Sequence, residues 1–173
     1  MKLKIKVKVL TKGCLPTISE KGDWIDLYAA KTVEIKAAQS GILYQENNTK
    51  YRDISIPVYK IPLGVAMELP KGFEAIIDSR SSSPSKHNIF IPNGQGVIDN
   101  TYNGDDDEWQ YVCSPMTKTT IYQYYRVCQF RIQLSQKATV WQKLKWLFSS
   151  GVKIVEVERL NNKNRGGIGS TGK

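Results

Sequence analysis

Leu3-Lys4-Ile5-Lys6-Val7-Lys8-Val9 alternates aliphatic and basic residues without a break, and Cys128-Gln129-Phe130-Arg131-Ile132-Gln133-Leu134 repeats the device far along the chain. A two-residue period puts successive side chains on opposite faces of an extended backbone, so each stretch reads as a strand with one face in a core. Working outward, Val33 and Ile35 bracket Glu34, and Val155 and Val157 alternate with Glu156 and Glu158. Ile54, Ile56 and Val58 form another such set, in which Pro57 removes a ladder donor and predicts an edge strand. Turn-forming pairs, Asn93-Gly94 and Asn103-Gly104, separate segments of this kind. Short strands broken by such turns predict an all-β sandwich or barrel.

With 173 residues the chain is long enough for one domain with its own core and too short for two comfortable ones. Residues 1–160 are expected to form that β domain. No stretch of about eighteen apolar residues offers a membrane span. Charge alternates with apolar residues from Met1 to Val9, unlike the unbroken apolar core of a signal peptide, which predicts a cytoplasmic protein. Cys14, Cys113 and Cys128 have no metal-ligand spacing and read as reduced thiols. His87 is the only histidine, so a zinc site of several imidazoles is excluded and chemistry is pushed toward carboxylates and hard metals. The net charge of +9 attracts polyanions, and a nucleoside triphosphate satisfies that attraction as well as a nucleic acid does.

Two segments depart from the strand pattern. Residues 39–53, with Gln45-Glu46-Asn47-Asn48-Thr49-Lys50, read as an exposed loop or hairpin tip. Residues 140–148 carry Val140, Trp141, Leu144, Leu147 and Phe148 at helical spacing, which predicts a short helix packed on the sheet. Its sharper reading is a docking face for a membrane or a protein. The tail 161–173 is too polar to order itself. Its arginine, glycines and hydroxyls nevertheless suit a flap over a polyphosphate. Gly167-Ile-Gly-Ser-Thr-Gly172-Lys173 imitates a phosphate loop, but no buried strand precedes it and no Ser or Thr follows the lysine, so that match is rejected.

Three stretches concentrate chemistry. Ser79-Arg80-Ser81-Ser82-Ser83 follows an apolar run and makes a plausible phosphate cradle. Asn93-Gly94-Gln95-Gly96-Val97-Ile98-Asp99, with Tyr102 and Gly104 beyond, sets one carboxylate among aliphatics and glycines. Ionised at neutral pH, Asp99 could hold a water, although an Asp-initiated turn explains it equally well. Arg126 and Gln129, three apart on a strand, nominally face opposite ways, so serving one ligand together requires a bulge or a strand end.

Taken in order, Asp26-Leu27, Arg80-Ser81-Ser82, Gly96-Val-Ile-Asp99 through Tyr102 and Gly104, Arg126-x-x-Gln129, and Arg165-Gly through Gly169-Ser170-Thr171-Gly172 resemble the five motifs of the trimeric dUTPase family. The resemblance spans residue 20 to the end of the chain. It implies a jelly-roll-like fold, a homotrimer whose active sites each draw on three subunits, and a C-terminal arm closing a site formed largely by its neighbours. The activity implied is Mg²⁺-dependent hydrolysis of dUTP to dUMP and pyrophosphate. Under the resemblance Asp99 is the base for the attacking water and Asp26 meets the metal through water, with Asp23 a second candidate. Arg80, Ser81, Ser82 and Gln129 are phosphate contacts; Arg165, Ser170 and Thr171, with Gly169, belong to the clamping arm. Asn93 reads uracil, Tyr102 stacks under the deoxyribose, and Gly96, Ile98 and Arg126 complete the substrate site.

Departures from the family pattern are equally specific. Ile168 stands where the arm usually carries a phenylalanine lid over the base, which makes Trp109 or Tyr111 a substitute lid. Tyr124-Tyr125 replaces a common Gly-Asp before Arg126. Residues 39–53 and 135–152 read as insertions, the second a place for a regulatory protein partner. A dCTP deaminase of the same fold and a nucleic-acid-binding module are the rival readings; the sequence lacks the interleaved aromatic and basic residues of the latter, and no stable nucleic-acid or membrane partner is expected.

Overall fold

The computed structural model describes residues 1–20 and 22–166. They form fifteen strands and two short helices. The strands are β1 (Leu3–Val9), β2 (Thr17–Ile18), β3 (Ile25–Tyr28), β4 (Val33–Ile35), β5 (Gln39–Glu46), β6 (Thr49–Ser55), β7 (Tyr59–Pro62) and β8 (Val65–Glu68). They continue as β9 (Phe73–Ser79), β10 (Ile89–Phe90), β11 (Gly96–Ile98), β12 (Gln110–Pro115), β13 (Thr119–Ile121), β14 (Arg126–Leu134) and β15 (Val152–Glu156), with α1 at Ser83–His87 and α2 at Val140–Leu147. The chain has the jelly-roll-like all-β fold. No helix among the described residues is long and apolar enough to cross a membrane.

The alternation that opens the chain sets the first sheet. Leu3, Ile5 and Val7 are fully buried while Lys4 and Lys6 point out. β1 runs antiparallel to β8 and parallel to β15, where Val152 and Ile154 pack against the core. The larger sheet has the order β11-β9-β14-β3-β2. Its centre is the second alternating stretch: Cys128, Phe130 and Ile132 are buried, and Phe130 meets Trp109 edge-on at 5.2 Å. The three cysteines are buried and free.

Ile54, Ile56 and Val58 do not share a strand. β6 ends at Ser55, β7 begins at Tyr59, and all three residues are exposed. Pro57 has no N–H to continue the ladder, so the chain breaks there instead of forming an edge strand. The polar stretch before it is a hairpin, β5–β6, whose tip residues Asn47 and Asn48 take φ of 48° and 63°. That left-handed pair is what a two-residue hairpin turn requires and asparagine tolerates. Every residue of β6 is exposed.

The predicted helix is α2, started by a capping box in which Thr139 and Gln142 exchange hydrogen bonds. It is attached to the body by a narrow edge, with Trp146 tilted on Phe73 at 5.4 Å. Val140, Trp141, Leu147 and Phe148 are 70–80% exposed, so the expectation of a helix packed by its apolar face is corrected. Five residues of its apolar arc exceed what one sheet edge can cover.

Gly64 shows how tightly the turn before β8 is built. It has φ +67°, and a Cβ there would lie 2.8 Å from that of Thr11 and 3.1 Å from those of Ala30 and Cys14. Gly64→Ala is expected to destabilise the fold by about 2–4 kcal/mol, from left-handed strain plus overpacking, measurable as a lower denaturation midpoint at unchanged m-value.

Candidate active site

The first group of site residues gathers where β3, β9 and β14 meet. Asp26, only 6% exposed, accepts from Arg80 Nε at 2.9 Å and from Arg126 Nη1 at 3.2 Å. A buried carboxylate is tolerated when charged donors meet it, and two guanidiniums on one carboxylate leave positive charge over. The bulge required for Arg126 and Gln129 to work together is present, as a register shift between Arg126 and Cys128 in the β14–β3 pairing. Gln129 lies opposite Asp26 and donates to the Ser79 carbonyl at 3.3 Å. Ser81 is exposed, and Ser82 is the N-cap of α1 without a side-chain cap bond. His87 stacks against Tyr125 at 5.5 Å. Burial, and then the charges of Arg80 and Lys86, hold its pKa below the ordinary histidine value, so it is neutral at pH 7.

The second group surrounds Asp99. β11 pairs with β9 and ends one residue before this carboxylate. Asn93 is exposed on the preceding turn, where Gly94 takes φ +76°. Asp99 accepts from the backbone N–H of Thr101 at 2.8 Å and from its hydroxyl, and the Tyr102 N–H bonds the Asp99 carbonyl at 3.2 Å. This is the Asp-initiated turn; its side chain is still 46% exposed. Arg165 Nη1 reaches its other oxygen. Burial alone would raise the Asp99 pKa, but the Thr101 bonds and the Arg165 charge outweigh it and hold the carboxyl below its ordinary value. Tyr102 is fixed by its hydroxyl donating to the Glu108 carbonyl at 2.9 Å.

The two groups are far apart within one chain. Ile98 pairs with Ala75 near the start of β9, whereas Arg80 follows its other end. Six residues separate Arg80 from the level of Asp99, roughly 20 Å at about 3.3 Å per residue. Within a single chain the Asp26 and Asp99 groups therefore lie at opposite ends of β9.

One expectation changes. Trp109 and Tyr111 are both fully buried, one against Phe130 and the other with its hydroxyl 2.7 Å from Ser79 Oγ, so neither is available as a lid. Arg165 meets Asp99 of its own chain. Thr101, which donates to Asp99, and the acidic run Asp105-Asp106-Asp107, which receives the start of the arm, are not among the residues singled out in the sequence. A hydroxyl two residues after Asp99 was the available signal for the first. Ile168, Gly169, Ser170 and Thr171 lie outside the described residues.

A hard cation is the metal such a site would use, and the donor set limits how. No group of three or more His, Cys, Asp or Glu among the described residues could hold a metal. Both oxygens of Asp26 are taken by arginines. With no cage of its own among the described residues, the chain would suit an ion that keeps most of its waters and is held chiefly by a ligand's oxygens.

The chain is 37% identical over 172 residues to the SPbeta prophage-derived deoxyuridine 5'-triphosphate nucleotidohydrolase YosS of Bacillus subtilis (strain 168), covering 99% of each. It is 34% identical over 108 residues to the deoxyuridine 5'-triphosphate nucleotidohydrolase of Orientia tsutsugamushi (strain Boryong), covering 61% of this chain and 62% of that one. Among solved structures, the dUTPase from Streptococcus mutans superposes with a TM-score of 0.61 at 21% identity, covering 78% of this chain and 98% of that one. A mutant dUTPase from phage phi11 of S. aureus, in which a structural Mg(II) ion is coordinated, gives 0.58 at 16% identity, covering 79% and 94%. No family model matches the chain.

The Asp99 environment makes a prediction independent of turnover. Thr101→Ala and Arg165→Ala each remove a donor to the charged form, so each raises the pKa of the Asp99 carboxyl, as a carboxyl-detected NMR titration would read; an unmoved midpoint in both would dismiss these bonds as its cause.

Proposed function

Because the chain belongs to the deoxyuridine 5'-triphosphate nucleotidohydrolase family and hydrolyses dUTP to dUMP and pyrophosphate, we propose that Asp99 is its catalytic base. In this reading the carboxylate takes a proton from a water as that water attacks the α-phosphorus in line. The new P–O bond forms on one side, the bond to the β-phosphate bridging oxygen breaks on the other, and pyrophosphate leaves. The observation that carries the reading is an ionised, half-exposed carboxylate fixed by a Thr101 turn at the end of β11, beside Tyr102 and the Asn93 hairpin.

The remaining roles follow from the chemistry of each group. Arg80 and Arg126 carry more positive charge than Asp26 neutralises, which suits them and the hydroxyls of Ser81 and Ser82 to triphosphate oxygens. Gln129 joins them across the bulge. Backbone groups of the hairpin at Gly96 and Ile98, with the Asn93 amide, read uracil, because a cytosine would leave a buried donor or acceptor unpaired. The Tyr102 ring packs on the sugar. Arg165, with Gly169, Ser170 and Thr171 beyond it, clamps the distal phosphates. Asp26 would help hold a Mg²⁺ ion through water, and the ion would supply charge neutralisation on the phosphate oxygens.

The two half-sites at opposite ends of β9 are the reason to propose a homotrimer, in which one chain's Asp99 faces another chain's Arg80 and Arg126. The chain's 78% coverage of itself against 98% of the S. mutans enzyme supports the reading of 39–53 and 135–152 as additions to a complete β domain of residues 1–160. The exposed apolar face of α2 supports a protein contact by the second of them.

The test is pyrophosphate release from dUTP, dCTP, dTTP and UTP with Mg²⁺. Turnover of dUTP alone is expected, falling by about 10²- to 10⁴-fold in Asp99→Asn at an unchanged unfolding temperature; a fully active variant would end Asp99's assignment as base.

A further inference from the structure

The apolar row of β9 ends in a hydroxyl. A two-residue period puts Phe73, Ala75, Ile77 and Ser79 on one side of the strand, and the first three are buried. Ser79 is thus the polar member of a row that faces the core, where an unpaired hydroxyl is unfavourable. Its partner comes from a different sheet. Tyr111 lies on β12 in register with Ile61 of β7, and its hydroxyl is 2.7 Å from Ser79 Oγ. The Tyr111 side chain is fully buried. Burial outweighs the Ser79 bond and lifts the pKa of that hydroxyl above the ordinary tyrosine value, so it is protonated at neutral pH.

Ser79 is also the residue from which the first site group hangs. Its carbonyl accepts from Gln129 Nε2 at 3.3 Å. A carbonyl only accepts, so this bond turns the nitrogen of the Gln129 amide toward Ser79 and leaves its second N–H for another acceptor. The next residue is Arg80, whose Nε meets Asp26 at 2.9 Å. Beyond it, the Ser83 N–H donates to the Arg80 carbonyl at 2.9 Å, and Ser83 Oγ to the Val127 carbonyl at 3.3 Å. Asp26, Val127 and Gln129 all belong to the sheet that contains β9. Tyr111 ties the same turn to the sheet of β7 and β12.

We propose that Tyr111 is a positioning residue for substrate binding, which through its buried hydroxyl sets Ser79 and with it the Arg80 guanidinium and the Gln129 amide that receive the triphosphate. The inference rests on the reading of Arg80 and Gln129 as phosphate contacts. Tyr111 touches no substrate, and its action is geometrical. With phenylalanine in its place the Ser79 hydroxyl would face the core unpaired, and the end of β9 would relax toward water to satisfy it. Hydrogen bonds weaken steeply as their donors turn out of line, so such a shift is felt at the phosphates.

Steady-state hydrolysis of dUTP with Mg²⁺ by the full chain tests it. Tyr111→Phe and Ser79→Ala are each expected to raise KM about three- to tenfold, the size of one hydrogen bond, with kcat held within about twofold because Asp99 lies by the other end of β9. Phenylalanine keeps the ring, and Ser79→Ala reaches the same bond from its half-buried side, so a folding failure of one variant leaves the other to decide. The double variant is expected to be no worse than the worse single, since both remove one bond. In a chain carrying Arg80→Ala with Gln129→Ala, Tyr111→Phe is expected to lower kcat/KM no further. An unmoved KM in both single variants, or an equal loss from Tyr111→Phe in both backgrounds, would reduce Tyr111 to a core hydrogen bond. A wild-type KM in the Arg80→Ala, Gln129→Ala chain would instead remove the phosphate-contact reading, and the proposal with it.

Discussion

The register of β9 is the constraint from which the site follows. Ile77 pairs with Gly96 on one side and with Phe130 on the other, and Ala75 with Ile98 and Ile132. Phe73, Ala75 and Ile77 are buried to within 2% of completeness. A slip of one residue would turn all three outward, so burial locks the register strongly. That lock fixes where β11 ends, and so where Asp99 projects, and where β9 ends, and so where Arg80 begins. The distance between the half-sites is a count of residues along one strand. No rotamer change within a single chain can close it.

Charge works locally in this molecule and its overall sign says little. The excess of +9 gives no hint that the two functional groups are organised around carboxylates. Asp26 gathers two arginines whose mutual repulsion would otherwise spread them apart. Asp99 is held ionised by hydrogen bonds that compensate for its partial burial. In the first group one carboxylate gathers two cations; in the second, cation and hydroxyl stabilise the charged form of one carboxylate. The same ion-pair chemistry serves opposite ends, and the difference lies in how many donors each carboxylate faces.

Strands whose period was two residues over several turns of pleat were legible because burial itself generates the period. β1 and β14 begin and end within a residue or two of the alternating stretches. The irregularity at Arg126 matches a condition legible in the sequence, since strand residues three apart share a face only across a bulge or at a strand end. Pro57 was read as an edge and became a break, because a missing donor was weighed without counting the exposed Ile54, Ile56 and Val58 around it. Trp109 and Tyr111 were offered as lids on the strength of residue type alone. Their depth is set by β12 pairing beside β7 and by the Trp109 backbone bonding Leu63 and Val65, contacts distant in sequence. Asp105-Asp106-Asp107 carries no signal of its own in the sequence; its bonds to residues 160–166 come from a contact distant along the chain.

That return also resolves how a tail of such composition can be ordered at all. Fixing a backbone residue costs about 1–2 kcal/mol of conformational entropy, and Asn162, Asn164 and Gly166 offer almost no apolar surface to offset it. The offset comes from hydrogen bonds to charged acceptors, which are stronger than those between neutral groups. They recur at Leu160, Asn161, Asn162, Asn164, Arg165 and Gly166. Each is short-ranged and depends on an ionised partner, so the arm is held by spaced fasteners and not by a packed face. Such a segment can release one contact at its far end while the others hold.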